Sequence, residues 1–192
     1  MRKISKVVGV FAAAAIVLTA VVSPAMADVV DSTISGGDLT ATTAGATLTG
    51  VTLNGSNTQT ATGTSAEWSI TDARGTGAAW TLSVDATVPT SAAGTVETDA
   101  RTIPVGNLTI TPGTITAGTG ADAAAGITAP ALTLLTTSQA LVSAAATHKG
   151  TYTLTPSFSL AIPANVFRSN YAGAVGSTAL NPYSSTITYT IA

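Results

Sequence analysis

Cysteine is absent, histidine occurs once (His148), and only 8% of the residues carry charge. Without thiols no disulfide can staple the chain, so a folded state must rest on its core alone. With no Cys and one His, a Cys/His zinc site or a heme with the usual axial ligands is implausible. Cations are scarce. Beyond residue 27 there are Arg74, Arg101, Lys149 and Arg168 against nine acidic residues, a net charge of −5. Nucleic-acid binding needs clustered cations to neutralise phosphates, and these four are scattered. Catalysis is equally short of material. A Ser-His-Asp arrangement would have to use His148, and no Gly-x-Ser-x-Gly elbow surrounds any serine. Asp28, Asp31 and Asp38 lack the spacing of a calcium loop. Paired carboxylates for glycan hydrolysis draw little support from nine acids spread over small-residue loops. The chain is expected to be no enzyme and to carry no cofactor and no metal.

What is present begins with a leader. Arg2, Lys3 and Lys6 precede an apolar run from Val7 to Val22, and Ala25-Met26-Ala27 offers small residues at a cleavage spacing. That is the layout of a secretory signal peptide over residues 1–27. A run of about 16 residues is marginal for a helix that stays in the bilayer, which needs roughly 20. Cleavage would leave residues 28–192 as one domain, with no nucleic-acid partner and no membrane anchor expected. Thr, Ala and Gly fill 82 of those 165 positions, while Leu, Ile, Val and Phe together number 33. That is near the floor for a folded chain, but low charge and abundant threonine favour strand over coil.

Periodicity places the strands. N-terminal strands are expected within 28–62, with weak alternation at Leu48, Val51 and Leu53 that changes parity at Gly50, as at a bulge or a bend. Trp68 and Ile70 share one face of a strand, and Trp80, Leu82 and Val84 share one face of the next. Between them Gly75 and Gly77 suit a connection needing positive φ. Residues 66–86 therefore read as a β-hairpin, with Trp68 facing Trp80 as a cross-strand pair. In 88–147 Pro104, Gly106, Pro112 and Gly113 break the apolar residues into short strands and turns, and Gly118 to Gly126 is a loop. Ala131 to Thr136 reads as a strand. Ser138 to Thr147 fits a strand or one short helix, and its strand-like surroundings favour the strand. From Thr151 to Ile162 the alternation is cleanest: Tyr152, Leu154, Phe158, Leu160 and Ile162 on one face, threonine and serine on the other. Pro156 makes this two strands bent there, or an edge strand. Tyr183, Ile187, Tyr189 and Ile191 repeat the pattern. Short alternating strands with Gly/Pro turns and no convincing helix indicate an all-β fold, an antiparallel β-sandwich.

Three stretches together resemble one family. Ile70 to Val84, with Trp80 and Leu82 as its named pair, resembles the proximal signature of the WxL domain of Gram-positive cell-surface proteins. Ile162-Pro163-Ala164-Asn165 followed by Tyr171-Ala172-Gly173 is similar to that family's late turn, and Tyr183 to Ile191 to its distal motif. Tyr189 and Ile191 stand where the distal Trp-x-Leu would be, and Ala174 to Pro182 looks like an insertion. The resemblance implies export to the cell surface, non-covalent attachment to peptidoglycan in the cell wall, co-operation with other surface proteins of the same system, and no catalytic activity.

The candidate wall-binding or motif residues are Asp72, Arg74, Trp80, Leu82, Tyr183, Tyr189 and Ile191. Each has a second reading. Trp80 and Leu82 are a sugar-stacking platform or the inward side of a sandwich, and scarcity of large apolar residues favours the inward side. Asp72 and Arg74 are wall contacts or a turn fixed by local hydrogen bonds. Tyr183 and Tyr189 suit a core edge with a wet end. The alternative to wall attachment is a structural subunit of a surface layer or fibre, assembling through edge strands.

Overall fold

Threonine and the β-branched apolar residues favour extended backbone, where a branched Cβ packs against its cross-strand neighbours. The computed structural model describes residues 31–192, so the leader expected over 1–27 lies outside the described residues. Its strands are β1 (Leu39–Thr42), β2 (Gln59–Thr64), β3 (Trp68–Asp72), β4 (Trp80–Ala86), β5 (Thr90–Ser91), β6 (Arg101–Thr102), β7 (Leu108–Thr111), β8 (Thr116–Ala117), β9 (Leu132–Thr133), β10 (Gln139–Ala144), β11 (Gly150–Leu154), β12 (Ser157–Ile162), β13 (Tyr183–Ser184) and β14 (Ile187–Ile191). A 3-10 turn at Val105–Asn107 leads into β7. Every pairing is antiparallel, as the all-β sandwich requires.

Hydrogen bonding orders the strands as β1-β3-β11-β8, β2-β12-β7-β9, β10-β4-β14 and β13-β5-β6. The first two sheets are halves of one bent layer. β2 runs into β3, β11 into β12 and β7 into β8, and the central pairs keep their neighbours across the bend. There Ser65, Ala66 and Glu67 stand opposite Thr155 and Pro156, a bulge that steps the register. Pro156 has no N–H to give a ladder, and its carbonyl accepts from the Ser65 N–H at 2.9 Å. The other two sheets form a second layer in the same manner. β4 continues into β5 and β13 into β14, with Thr87, Val88 and Pro89 opposite Ser185 and Thr186.

The core lies between the layers. Trp68, Ile70, Tyr152 and Leu154 of the first layer and Trp80, Leu82, Val84, Leu141 and Val142 of the second are all buried. Two aromatic pairs bridge the gap: Trp68 meets Tyr189 edge-on at 4.7 Å between centroids, and Trp80 meets Tyr152 at 6.0 Å. Each indole N–H finds a carbonyl, Trp68 Nε1 donating to Ala44 O and Trp80 Nε1 to His148 O.

The expected hairpin over 66–86 does not form. β3 pairs with β1 and β11, while β4 pairs with β10 and β14, so Trp68 and Trp80 stand in different layers and are not cross-strand partners. The connection crosses from one layer to the other instead, and Gly75 and Gly77 take the left-handed φ expected of them, 71° and 66°. The strand expected over Ala131 to Thr136 shrinks to β9, and Leu48 to Leu53 forms no strand. Ser138 to Thr147 yields the strand β10, and Pro156 separates two strands as one of the readings required.

Candidate functional site

The residues that the sequence singles out fall into two places. Asp72 closes β3 and Trp80 opens β4, so both belong to the crossing between layers. Asp72 is buried, with its carboxylate accepting from Arg74 N–H, Arg74 Nε and Arg74 Nη2, each at 3.0 Å. The guanidinium beyond it also donates to the carbonyls of Ala78 and Ala79, spanning the loop. Hydrogen bonds from the Arg74 side chain hold the Asp72 carboxyl below its usual range. This is a turn fixed from within. Trp80 and Leu82 are 2% and 0% exposed, so neither can stack on a sugar ring while the protein is folded.

His148 completes this corner. Its ring nitrogens lie 3.0 Å from the carbonyl oxygens of Ala145 and Ala125, and the ring is buried. Carbonyls only accept, so the geometry suits an imidazolium donating from both nitrogens, and these contacts, Ala125 foremost, raise the His148 pKa. With both nitrogens so engaged, the ring has no hydroxyl to activate. Lys149 Nζ pairs with Asp122 at 2.7 Å, which lowers the Asp122 pKa. Among the described residues no three His, Asp or Glu side chains stand together as a metal site.

Tyr183, Tyr189 and Ile191 lie on the half-buried face of β13 and β14. β14 is the hydrogen-bonded neighbour of β4, with Ile191 opposite Leu82 and Tyr189 opposite Val84. The Trp-bearing strand and the Tyr-bearing strand are thus one ladder. Tyr183 donates to Phe167 O at 2.8 Å, while the Tyr189 hydroxyl is buried with no partner; burial pushes both phenols up. Tyr183 and Tyr189 line a cleft of about 1220 Å³ between the layers, whose other wall is Ala61, Leu108, Phe158, Leu160 and Ile162. Leu53, Phe167 and Leu180 are exposed at its rim.

A third place lies on the outside of the first layer. Antiparallel register puts Thr62, Ser159, Thr109 and Thr133 in one row across four strands. Thr42, Ser69, Thr153 and Thr116 form a second such row. Thr64, Ser157 and Thr111, then Thr40, Thr71 and Thr151, add two shorter ones. Strand geometry spaces these hydroxyls roughly 4.8 Å across the sheet and about 6.8 Å along each strand. The Thr71 and Thr151 hydroxyls meet at 3.0 Å, and the others bond no further protein group among the described residues. None of these positions carries charge. On the second layer the equivalent rows are interrupted by Ala140 and Asp85.

Sequence reasoning found both faces of the strands over 151–162 and 183–191 and the apolar face of those bearing Trp68 and Trp80, but not the rows, because register between strands is invisible to it. It also missed a polar knot beside the cleft. Arg101 and Arg168 both pair with Glu97, whose carboxylate accepts the Tyr171 N–H at 2.6 Å and is held below its usual range, first by that bond. Buried Asn170 donates to Ala92 O and Asp99 O in the same knot. The one available signal was that so few arginines in a low-charge chain each need a partner. No family model, no curated protein and no solved structure matches this chain.

Proposed function

We propose that this chain is a secreted, non-enzymatic surface protein that attaches non-covalently to the peptidoglycan of a cell wall. The observation that supports it is the uncharged lattice of threonine and serine hydroxyls on the outside of the first layer. A polysaccharide with hydroxyls and amides at regular intervals offers matching donors and acceptors. Each exposed hydrogen bond adds little by itself, but many engaged at once on a repeating polymer add up through effective concentration. The leader and the resemblance to the WxL domain agree with this reading, with one change. The buried Trp80 and Leu82 support the fold, and the contact falls to the hydroxylated face.

Co-sedimentation of the processed protein with purified insoluble peptidoglycan tests the proposal. The protein is expected in the pellet, with weak dependence on salt because the face is uncharged. Protein that stays in the supernatant at every pH and salt concentration would refute it.

A further inference from the structure

Six asparagines lie in the chain, and only Asn54 is followed by glycine. Asparagine is thermolabile because its side-chain amide can be lost to its own backbone. The next residue's N–H must be free to give up its proton, and its nitrogen must reach the side-chain carbon. At every other asparagine something prevents this. Thr58 N–H, after Asn57, is held by Ser56 Oγ at 3.2 Å, and the Asn57 side chain accepts from Ala164 N–H. Leu108 N–H, after Asn107, bonds Val105 O, and Val166 N–H, after Asn165, bonds Pro163 O. Tyr171 N–H, after the fully buried Asn170, is bonded to Glu97. Pro182, after Asn181, has no N–H to give.

Asn54 differs on each count. It is exposed in the turn between 45–53 and β2, and so is Gly55. Gly55 N–H bonds no protein group among the described residues. A Cβ on Gly55 would meet nothing within 4 Å, so the space beside its nitrogen is open. Ser56 N–H donates to Asn54 Oδ1 at 2.9 Å, which polarises the amide and steadies negative charge on that oxygen during attack.

We infer that Asn54 is a self-modifying site, converting through its own chain to an aspartyl or isoaspartyl residue, and that the conversion loosens the segment 45–53. Gly55 N loses its proton to a base from solvent and attacks Asn54 Cγ. The new N–Cγ bond closes a cyclic imide, and the Cγ–Nδ2 bond breaks as Nδ2 takes up a proton and leaves as ammonia. Water then opens the ring. Attack at Cγ breaks the new bond and leaves an aspartyl side chain on an unaltered backbone. Attack at the Asn54 carbonyl carbon breaks the original peptide C–N bond and leaves the backbone running through Cβ and Cγ. The sum is amide plus water giving carboxylate plus ammonia, with no further reactant. This turn is clamped by one side chain: Gln59 Oε1 accepts the Asn54 backbone N–H at 3.1 Å, while Gln59 Nε2 donates to Thr52 O. The isoaspartyl route adds a carbon to the chain inside that clamp and takes its two ends out of register. Gly45 to Leu53 line the cleft, so their release widens its mouth.

Incubation of the full chain in neutral and alkaline buffer, followed by peptide mapping with mass spectrometry, tests this. Asn54 is expected to gain the mass that separates a hydroxyl from an amine, faster in alkali because the attacking nitrogen must lose its proton. The other asparagines should keep their amides over the same time. Asn54→Gln, whose longer side chain would have to close a larger ring, should abolish the conversion. Gly55→Ala, which puts a methyl beside the nitrogen, should slow it several-fold. A broad-specificity protease should cut aged protein within 45–53 before it cuts fresh protein there, and should cut aged and fresh Asn54→Gln alike. An Asn54 amide that persists, other asparagines that convert as fast, or unchanged protection of 45–53 after conversion would each overturn the inference. None of these outcomes bears on the peptidoglycan pellet, so the two proposals fail separately.

Discussion

Trp80 sits where two demands meet, an indole body wanting burial and an N–H wanting an acceptor, and His148 O supplies the second. Trp80→Ala is expected to cost about 3–5 kcal/mol in denaturant unfolding, a large share of a small domain's stability. Trp80→Phe, which keeps a ring and loses the N–H, should cost clearly less. If Trp80→Ala stays as stable as the parent, the core placement is wrong. Titration belongs to this scale too. Asp72, Glu97 and Asp122 are all held below the usual carboxylate range by their hydrogen bonds. Their contribution is present above the unfolded carboxylate value of about 4 and is lost as pH falls through their lowered values. His148 runs the opposite way: raised in the fold, it stabilises fully below about 6.5 and loses that contribution as pH rises through its raised value. Thermal melts should therefore show greatest stability between about pH 4 and 6.5. His148→Gln should flatten the alkaline side and Asp72→Asn part of the acid side.

Among the strands, what could be read beforehand was what a single strand reveals about itself. Tyr152 to Ile162 and Tyr183 to Ile191 alternate cleanly because each has one face in the core and one in water, and they lie where that pattern puts them. Partnership is a different matter. Two consecutive strands joined by a Gly-rich loop look alike in sequence whether they pair or part, and the arginine clamp on Asp72, Ala78 and Ala79 that shapes the crossing has no periodic signature. The segment from Gly45 to Leu53 escaped for a related reason. It is held through Thr49, which donates to Thr62 O, and through Gly63, where a Cβ would lie 2.3 Å from Thr47 O. Gly63→Val should push that segment off β2. Limited proteolysis with a broad-specificity protease should then cut within 45–53 well before the parent protein is cut there. Equal protection would contradict this packing.

At the scale of the whole molecule, the candidate residues change roles once the layers are assembled. The Trp-x-Leu pair holds the layers together, the tyrosines line the cleft, and the threonines that sequence reading treated as a solvent side become a surface with two regular spacings. That surface could not be foreseen, because it exists only in the register between strands far apart in the chain. In the proposed attachment those hydroxyls are the wall contact. Valine has the shape and strand preference of threonine without the oxygen. Thr71→Val, Thr109→Val, Thr151→Val and Thr153→Val together should therefore leave circular dichroism and melting near those of the parent. Co-sedimentation of this variant with insoluble peptidoglycan is the most direct measurement. The variant is expected to move from pellet to supernatant, and a folded variant that pellets as completely as the parent would contradict the proposed wall contact.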